Sequence, residues 1–212
     1  MRVDILHMTP NPLKVIWTAA RTCYSHLSPQ ELWASDPSVD DMLRIARKVF
    51  TSGHLSVVEH CSITYAVSGV SRTLLAQYSR HRIGVSLSVQ SQRHVSEVSA
   101  RNDGQFDYVV PPGVQENSDA ARAFEDGMKM LQELYDRLCA FGIRAEDARF
   151  VLPGAAMTNF VTTVNLRSLL DLYNKRVIEP GAQWEIKALV ERMVALAVER
   201  EPWLGEFIYR RS

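Results

Sequence analysis

The segment from Asn117 to Gly142, NSDAARAFEDGMKMLQELYDRLCAFG, constrains the fold more than any other stretch. Phe124, Met128, Leu131, Tyr135 and Leu138 recur at intervals of four, three, four and three residues, which keeps one face of an α-helix apolar. Gly142 stands where such a helix can end in the left-handed conformation. A helix of this length is stable in water only when its apolar stripe is packed, so the rest of the chain must supply the surface.

Strand and helix signals fill the remainder. VDILHM has the composition of a strand, and NPLKVIWTAARTC follows it with Asn11 placed as a cap, Pro12 in the first turn and helical apolar spacing. SHLSPQELWASDPS is a polar connection to a second helix, VDDMLRIARKVFTSG, in which Met42, Ile45 and Val49 share a face and Gly53 is the stop. SITYAVSGVSRTLLAQYS is a strand running into a helix. AEDARFVLP is a short helix ended by Pro153, MTNFVTTV a β-branched strand, NLRSLLDLYNKR a helix, and AQWEIKALVERMVALAVER the last long helix. With no internal repeat, low-complexity tract or long linker, the expectation is one helix-rich α+β domain over residues 1–212.

Charge narrows the function. Lys plus Arg and Asp plus Glu each number 24, so the chain lacks the global basic field that drives nonspecific nucleic-acid binding. The N-terminus, MRVDILHMTPNPLK, offers no uninterrupted apolar run of the kind a signal peptide or membrane span needs. Cys23, Cys61 and Cys139 are odd in number and widely spaced, which speaks against a disulfide framework or a cysteine zinc site. A reducing cytoplasm is the expected compartment, with neither nucleic acid nor membrane as partner.

Against this neutral background QYSRHRIGVSLSVQSQRHV, residues 77–95, concentrates Arg80, His81, Arg82, Arg93 and His94 among Ser79, Ser86, Ser88 and Ser91. Guanidinium forks fit phosphate and carboxylate bidentately, and serine hydroxyls complete such sites, so an anion-binding loop is one reading. Cations offsetting a helix dipole are a second, worth roughly 0.3–1 kcal/mol each. A helix-turn-helix DNA reader is a third, disfavoured by the chain's neutrality. From Val85 to Gln90 apolar and polar residues alternate, which predicts an extended segment with Ser86, Ser88 and Gln90 on one face.

Arg80-His81-Arg82, followed by the eight residues Ile83 to Gln90 and then Ser91, resembles the signature of the flavin-dependent thymidylate synthases. GHLSVVEH, residues 53–60, is similar to the family's Gly-His and Glu-His segment. His54, Glu59 and His60 lack the HExxH spacing of a helical zinc site, so no metal is expected. EDARFVLP, TVNLRSLL and AQWEI occur in the family's order and at close to its spacing, and the resemblance covers essentially the whole chain. It implies the family fold, a single helix-rich α+β domain around a central, mostly antiparallel sheet.

The resemblance also implies the chemistry: reductive methylation of dUMP to dTMP, with 5,10-methylenetetrahydrofolate giving the carbon and NADPH-reduced FAD the hydride. For dUMP it implies Gln77, Tyr78, Ser79, Arg80, Ser88, Gln90, Ser91, Gln92, Arg93, Arg149 and Arg176, the last as the catalytic arginine lying against the uracil. For FAD it implies His54, Ser56, Arg80, His81, Arg82, Asn165, Arg167 and Asp171. It implies a homotetramer with active sites built from several subunits. Unlike classical thymidylate synthases the family needs no nucleophilic cysteine. Cys61 and Cys139 read as small core residues, and Cys23, where the family often has serine, is placed at the edge of the cofactor. The chain departs from the family pattern at Val89, where many members carry an acidic residue, and at VIEPGAQW, which carries an extra residue and lacks a histidine before Ala-Gln-Trp.

One expectation for the signature's partners is independent of the resemblance. In a continuous α-helix, the eleven residues from Asn165 bring Arg176 back to within about 20° of the same line, about 16 Å farther along, with Ser168 near it. Arg167 and Asp171 are spaced to form an exposed i,i+4 ion pair.

Overall fold

The strand signals become four strands, β1 (Arg2–Met8), β2 (Ser62–Ser71), β3 (Val85–Val89) and β4 (Met157–Asn165), ordered β1-β2-β4-β3 in one sheet. The register fixes their directions. Thr9 N donates to Ser62 O (3.0 Å) just past one end of β1, while Gly69 lies by Met1 at the other. The Thr64 and Thr163 hydroxyls are 2.9 Å apart, and Gly69 N donates to Asn159 Oδ1 (3.1 Å). Asn165 N donates to Gly84 O (3.0 Å), and Gln90 N to Asn159 O (2.9 Å). In each pairing residue numbers fall on one strand as they rise on the other, so every neighbour is antiparallel.

The structure, a computed structural model, describes residues 1–209, so residues 210–212 of the expected domain lie outside it. Its helices are α1 (Pro12–Thr22), α2 (Pro29–Ala34), α3 (Val39–Ser52), α4 (Arg72–Tyr78), α5 (Pro112–Gln115), α6 (Ser118–Ala140), α7 (Ala145–Ala148), α8 (Leu166–Tyr173), α9 (Trp184–Arg200) and α10 (Gly205–Ile208). A 3₁₀ segment occupies Leu55–His60, and a π-helix, Asn174–Ile178, continues α8. The chain is thus helix-rich α+β.

Two local expectations are corrected. The connection before α3 is not all loop, because α2 forms there on a capping box: Ser28 Oγ accepts from Glu31 N (3.2 Å) and Glu31 Oε2 from Ser28 N (2.7 Å). Six residues are too few to show an apolar period. Asn11 sits at the cap position of α1 but makes no side-chain cap; it takes the left-handed conformation (φ 47°), which asparagine tolerates and which turns the chain out of β1.

The backbone groups into two compact units. One, here the α6 unit, comprises Met1–Arg2, Val67–Arg80 and Ser88–Phe160. The other, the α9 unit, comprises Val3–Ala66, His81–Leu87 and the residues from Val161 on.

In the α6 unit the expected stripe of α6 does what its spacing demands. Met128 and Tyr135 are buried, and Phe124 and Leu131 pack against the cluster of Phe106, Met128 and Ala156. Each such side chain, when fully buried, contributes roughly 1.5–3 kcal/mol. Gln132, on the same helix, is also buried because it is fully used: Oε1 accepts from Phe106 N (2.7 Å), and Nε2 donates to Glu97 O (2.9 Å) and Asp136 Oδ1 (3.0 Å). Gly142 adopts φ 83° just past α6, and Ile143 N donates back to Leu138 O (3.1 Å), the left-handed ending the sequence predicted.

In the α9 unit Ile16 of α1, Ile63 and Tyr65 of β2, Leu166 and Leu169 of α8, and Ile186, Leu189 and Met193 of α9 are buried. Tyr65 is admitted to the core because its hydroxyl donates to Met193 O (3.0 Å). Leu13, Ala46 and Phe207 form a second cluster, closed by Phe50 stacked on Phe207 with centroids 4.1 Å apart.

Candidate active site

The fold sorts the expected site residues into two sets. His54, Ser56, His81, Arg82, Asn165, Arg167, Asp171 and Arg176 belong to the α9 unit. Gln77, Tyr78, Ser79, Arg80, Ser88, Gln90, Ser91, Gln92, Arg93 and Arg149 belong to the α6 unit. The expected flavin set therefore lies in one unit except for Arg80, and the expected nucleotide set in the other except for Arg176.

Within the α9 unit the signature loop is clamped to the start of α8. Asn165 Oδ1 caps the helix by accepting from Ser168 N (2.8 Å), and Asn165 N donates to Gly84 O. Ser168 Oγ donates to Ile83 O (2.7 Å). Gly84 takes φ +64°, and a Cβ there would collide with Asn165 Nδ2 and Ser168 Oγ and lie 2.8 Å from Asn165 Cγ. Only glycine allows so close an approach in that conformation. Ser168 is consequently a buried anchor for the loop.

This clamp sets His81 opposite Arg176. Arg176 Nε donates to His81 Nε2 at 3.0 Å, which requires that nitrogen to carry no proton. Arg176 does not reach this position by α-helical geometry. Asn174 to Ile178 form a π-turn, with Glu179 N donating to Asn174 O (2.8 Å), so the expected alignment with Asn165 is lost after Tyr173. One-turn π segments recur at functional sites because they re-aim a side chain. Nothing in the apolar spacing announces this one.

Arg167 pairs with Glu59 Oε1 (2.5 Å), not with Asp171 as the i,i+4 spacing suggested. The partner comes from the 3₁₀ segment of GHLSVVEH, a contact across 108 positions. Arg82 is exposed and has no side-chain partner among the described residues, and Ser56 and Asp171 are exposed. His54, also exposed, lines a cleft of about 720 Å³ together with residues of α1 and α3. Cys23 is exposed at the end of α1, and neighbouring Tyr24 lines the same cleft. Cys61 is buried and burial pushes its thiol up to about 12, which suits a core residue and not a nucleophile.

The α6 unit holds its members by polar contacts. β3, whose residues 85–87 fall in the α9 unit and 88–89 in the α6 unit, alternates as predicted, with Ser86 and Ser88 exposed and Val85, Leu87 and Val89 half-buried. Gln90 Oε1 accepts from Asn159 Nδ2 (2.8 Å). Ser91 Oγ accepts from Arg93 N (3.2 Å), closing a turn that presents Arg93. Arg93 Nε pairs with Glu146 Oε2 (2.6 Å), and Arg149 Nε donates to Glu146 O (3.0 Å), so Glu146 gathers two expected nucleotide-binding arginines. Gln92 Nε2 is buried without a hydrogen-bond partner among the described residues.

Tyr78 is corrected. It is fully buried and its ring stacks on Phe160 with centroids 5.2 Å apart, so its side chain belongs to the core and not to a binding face. Ser79 Oγ donates to Ala76 O (3.3 Å) at the end of α4, while Gln77 is half-buried and Arg80 exposed.

Arg72 is a further partly buried cation of the α6 unit. At the first turn of α4 it donates to Gln90 O (2.9 Å), and its Nε is buried without a partner. Burial lowers its pKa from the ordinary arginine value, opposed by the charge of Glu97 and reinforced by that of Arg149. Glu97 is raised in turn by burial and by Asp107, against the pull of Arg72. As one arginine beginning a helix in SRTLL, Arg72 carries no local signal. Among the described residues no group of three or more His, Cys, Asp or Glu could hold a metal ion, and no helix is long and apolar enough to cross a membrane.

The family described as thymidylate synthase complementing protein matches residues 4–203. A flavin-dependent thymidylate synthase of Geobacter sulfurreducens is 40% identical over 196 residues, covering 92% of this chain and 82% of the relative. Thymidylate synthase X from Helicobacter pylori, solved with FAD and dUMP, is 26% identical, with a TM-score of 0.69 over 92% of this chain and 93% of that one. The UMP/dUMP methylase PolB from Streptomyces cacaoi shares the fold, with a TM-score of 0.81 at 20% identity, over 99% of this chain and 94% of that one. With a family match over nearly its whole length and a relative at this identity, the chain belongs to the flavin-dependent thymidylate synthases.

Proposed function

We propose that this enzyme forms dTMP from dUMP by reductive methylation, with FAD as cofactor and 5,10-methylenetetrahydrofolate and NADPH as co-substrates. The pairing of Arg176 with His81 carries the reading, because it fixes a guanidinium beside the Arg-His-Arg signature. The chain's donors suit a flavin nucleotide: Arg82 has no competing acid among the described residues, Arg167 is held at the surface by Glu59, and His54 is exposed. When bound, FAD supplies the hydride chemistry, and the protein supplies orientation and charge.

His54, Ser56, Arg80, His81, Arg82, Asn165, Arg167 and Asp171 hold the flavin. Gln77, Ser79, Arg80, Ser88, Gln90, Ser91, Gln92, Arg93 and Arg149 hold the nucleotide, with Arg93 and Arg149 meeting its phosphate. Arg176 lies against the uracil and stabilises negative charge developing on the ring, a contribution of several kcal/mol in a water-excluded site. No cysteine attacks the pyrimidine. The enzyme works in the cytoplasm as a single catalytic domain over 1–212, assembled as a homotetramer whose active sites draw on several subunits.

The deciding experiment is a visible spectrum of the purified protein, followed by NADPH oxidation and dTMP formation with and without dUMP and methylenetetrahydrofolate. The reading expects a yellow protein and dTMP only in the complete mixture. A colourless protein that neither takes up FAD nor makes dTMP would sink it.

A further inference from the structure

Beyond the residues assigned above, the cleft that ends at His54 has walls of unusual charge. Arg44, Arg47 and Lys48 lie at i, i+3 and i+4 on α3, and Arg21 faces them from α1. Like charges at that spacing repel along a helix, and an anionic occupant would relieve that repulsion. Two of the cations have counter-ions. Arg44 pairs with Asp41, and Arg47 with both oxygens of Glu206 at 2.9 and 3.1 Å, and neither acid lines the cleft. Asp41 also acts on Arg21 through its charge. Lys48 has no ion pair among the described residues, and Arg21 Nε is buried without a hydrogen-bond partner. Ala20, Ile45 and Val49 give the cleft an apolar floor. Its volume of about 720 Å³ is in the range of small-molecule sites.

We infer that this cleft seats the anionic tail of a co-substrate. The inference rests on the function proposed above, which needs two co-substrates and assigns residues to neither. Both end in anionic groups: NADPH carries a 2′-phosphate and a pyrophosphate, and the folate carries glutamate carboxylates. Lysine and arginine bind either chemistry, and the apolar floor accepts the uncharged part of either tail.

The test uses the full-length, FAD-loaded protein, its exposed-site variants Lys48→Glu and Thr51→Glu, which place negative charge at two points of one wall, and Lys48→Arg, which keeps the charge. Affinities for 2′,5′-ADP and for tetra-γ-glutamate are measured by calorimetry at low and high salt, beside KM values for NADPH, NADH and the folate. The expected result is salt-sensitive binding of one probe, weakened at least roughly tenfold by each glutamate and restored by Lys48→Arg, with flavin content held. The probe affected names the source: 2′,5′-ADP assigns the cleft to the nicotinamide nucleotide, tetra-γ-glutamate to the folate. Indifference of both probes while the wild-type protein still makes dTMP overturns the inference and leaves the proposed function standing. Loss of flavin in step with the added charge also overturns it, giving the cleft to the flavin's own phosphates. If the wild-type protein makes no dTMP, the proposed function fails and the inference fails with it.

Discussion

Arg176 Nε and His81 Nε2 are 3.0 Å apart across 95 positions of sequence, joining the π-turn after α8 to the middle residue of the signature. The contact predicts coupling. Arg176→Ala should lower kcat by about 10²–10³ while flavin stays bound, as for loss of one transition-state donor. His81→Ala should reproduce part of that loss by freeing the guanidinium. The double variant should fall well short of the product of the two effects, and strict additivity in the measured kcat values would refute the coupling.

Arg82 is exposed without a partner, so its contribution should appear in cofactor retention. Arg82→Ala should weaken FAD binding by about ten- to a hundredfold, the worth of one charge-assisted hydrogen bond. Equilibrium dialysis against FAD measures it. Full retention would make Arg82 a solvated surface cation.

Gly84 should tolerate no side chain. Gly84→Ala imposes a left-handed backbone cost of roughly 1–2 kcal/mol and drives a methyl group into Asn165 and Ser168. Flavin affinity should fall more steeply than thermal stability, because the displaced element is the loop and not the core. Wild-type Tm and flavin content in this variant would show that the clamp does not position the signature.

Cys61 should be dispensable for chemistry. Cys61→Ala should cost about 1 kcal/mol in urea unfolding, the scale of a small buried truncation, and leave turnover near wild type. Loss of dTMP formation in a folded variant would point to a nucleophilic role.

Glu97 should weaken the fold at neutral pH. Its folded-state pKa is raised, chiefly by burial, so protonation favours the folded state: its contribution is fully present below its unfolded value of 4.5 and is lost as pH rises through the folded value. Glu97→Gln should therefore raise Tm at pH 7, with the gain vanishing as pH falls below about 4.5. A Tm difference independent of pH would exclude this account.

The sequence by itself determined what depends on near neighbours. The period of Phe124, Met128, Leu131, Tyr135 and Leu138 set α6, the alternation from Val85 to Gln90 set β3, and Gly53 and Gly142 ended their helices, because side-chain direction follows the local backbone repeat. The Arg-His-Arg stretch and the segments after it were legible as a family because their order survives in one dimension. The tertiary structure alone decided the pairings. Glu59 took Arg167 from Asp171, Phe160 claimed Tyr78 for the core, Gln132 became a buried hub, and Arg72 entered beside Gln90. It also turned the chain after Tyr173 into a π-turn that aims Arg176 at His81. Such contacts join residues far apart in the chain, and a buried polar group takes whichever partner the packed fold brings within reach.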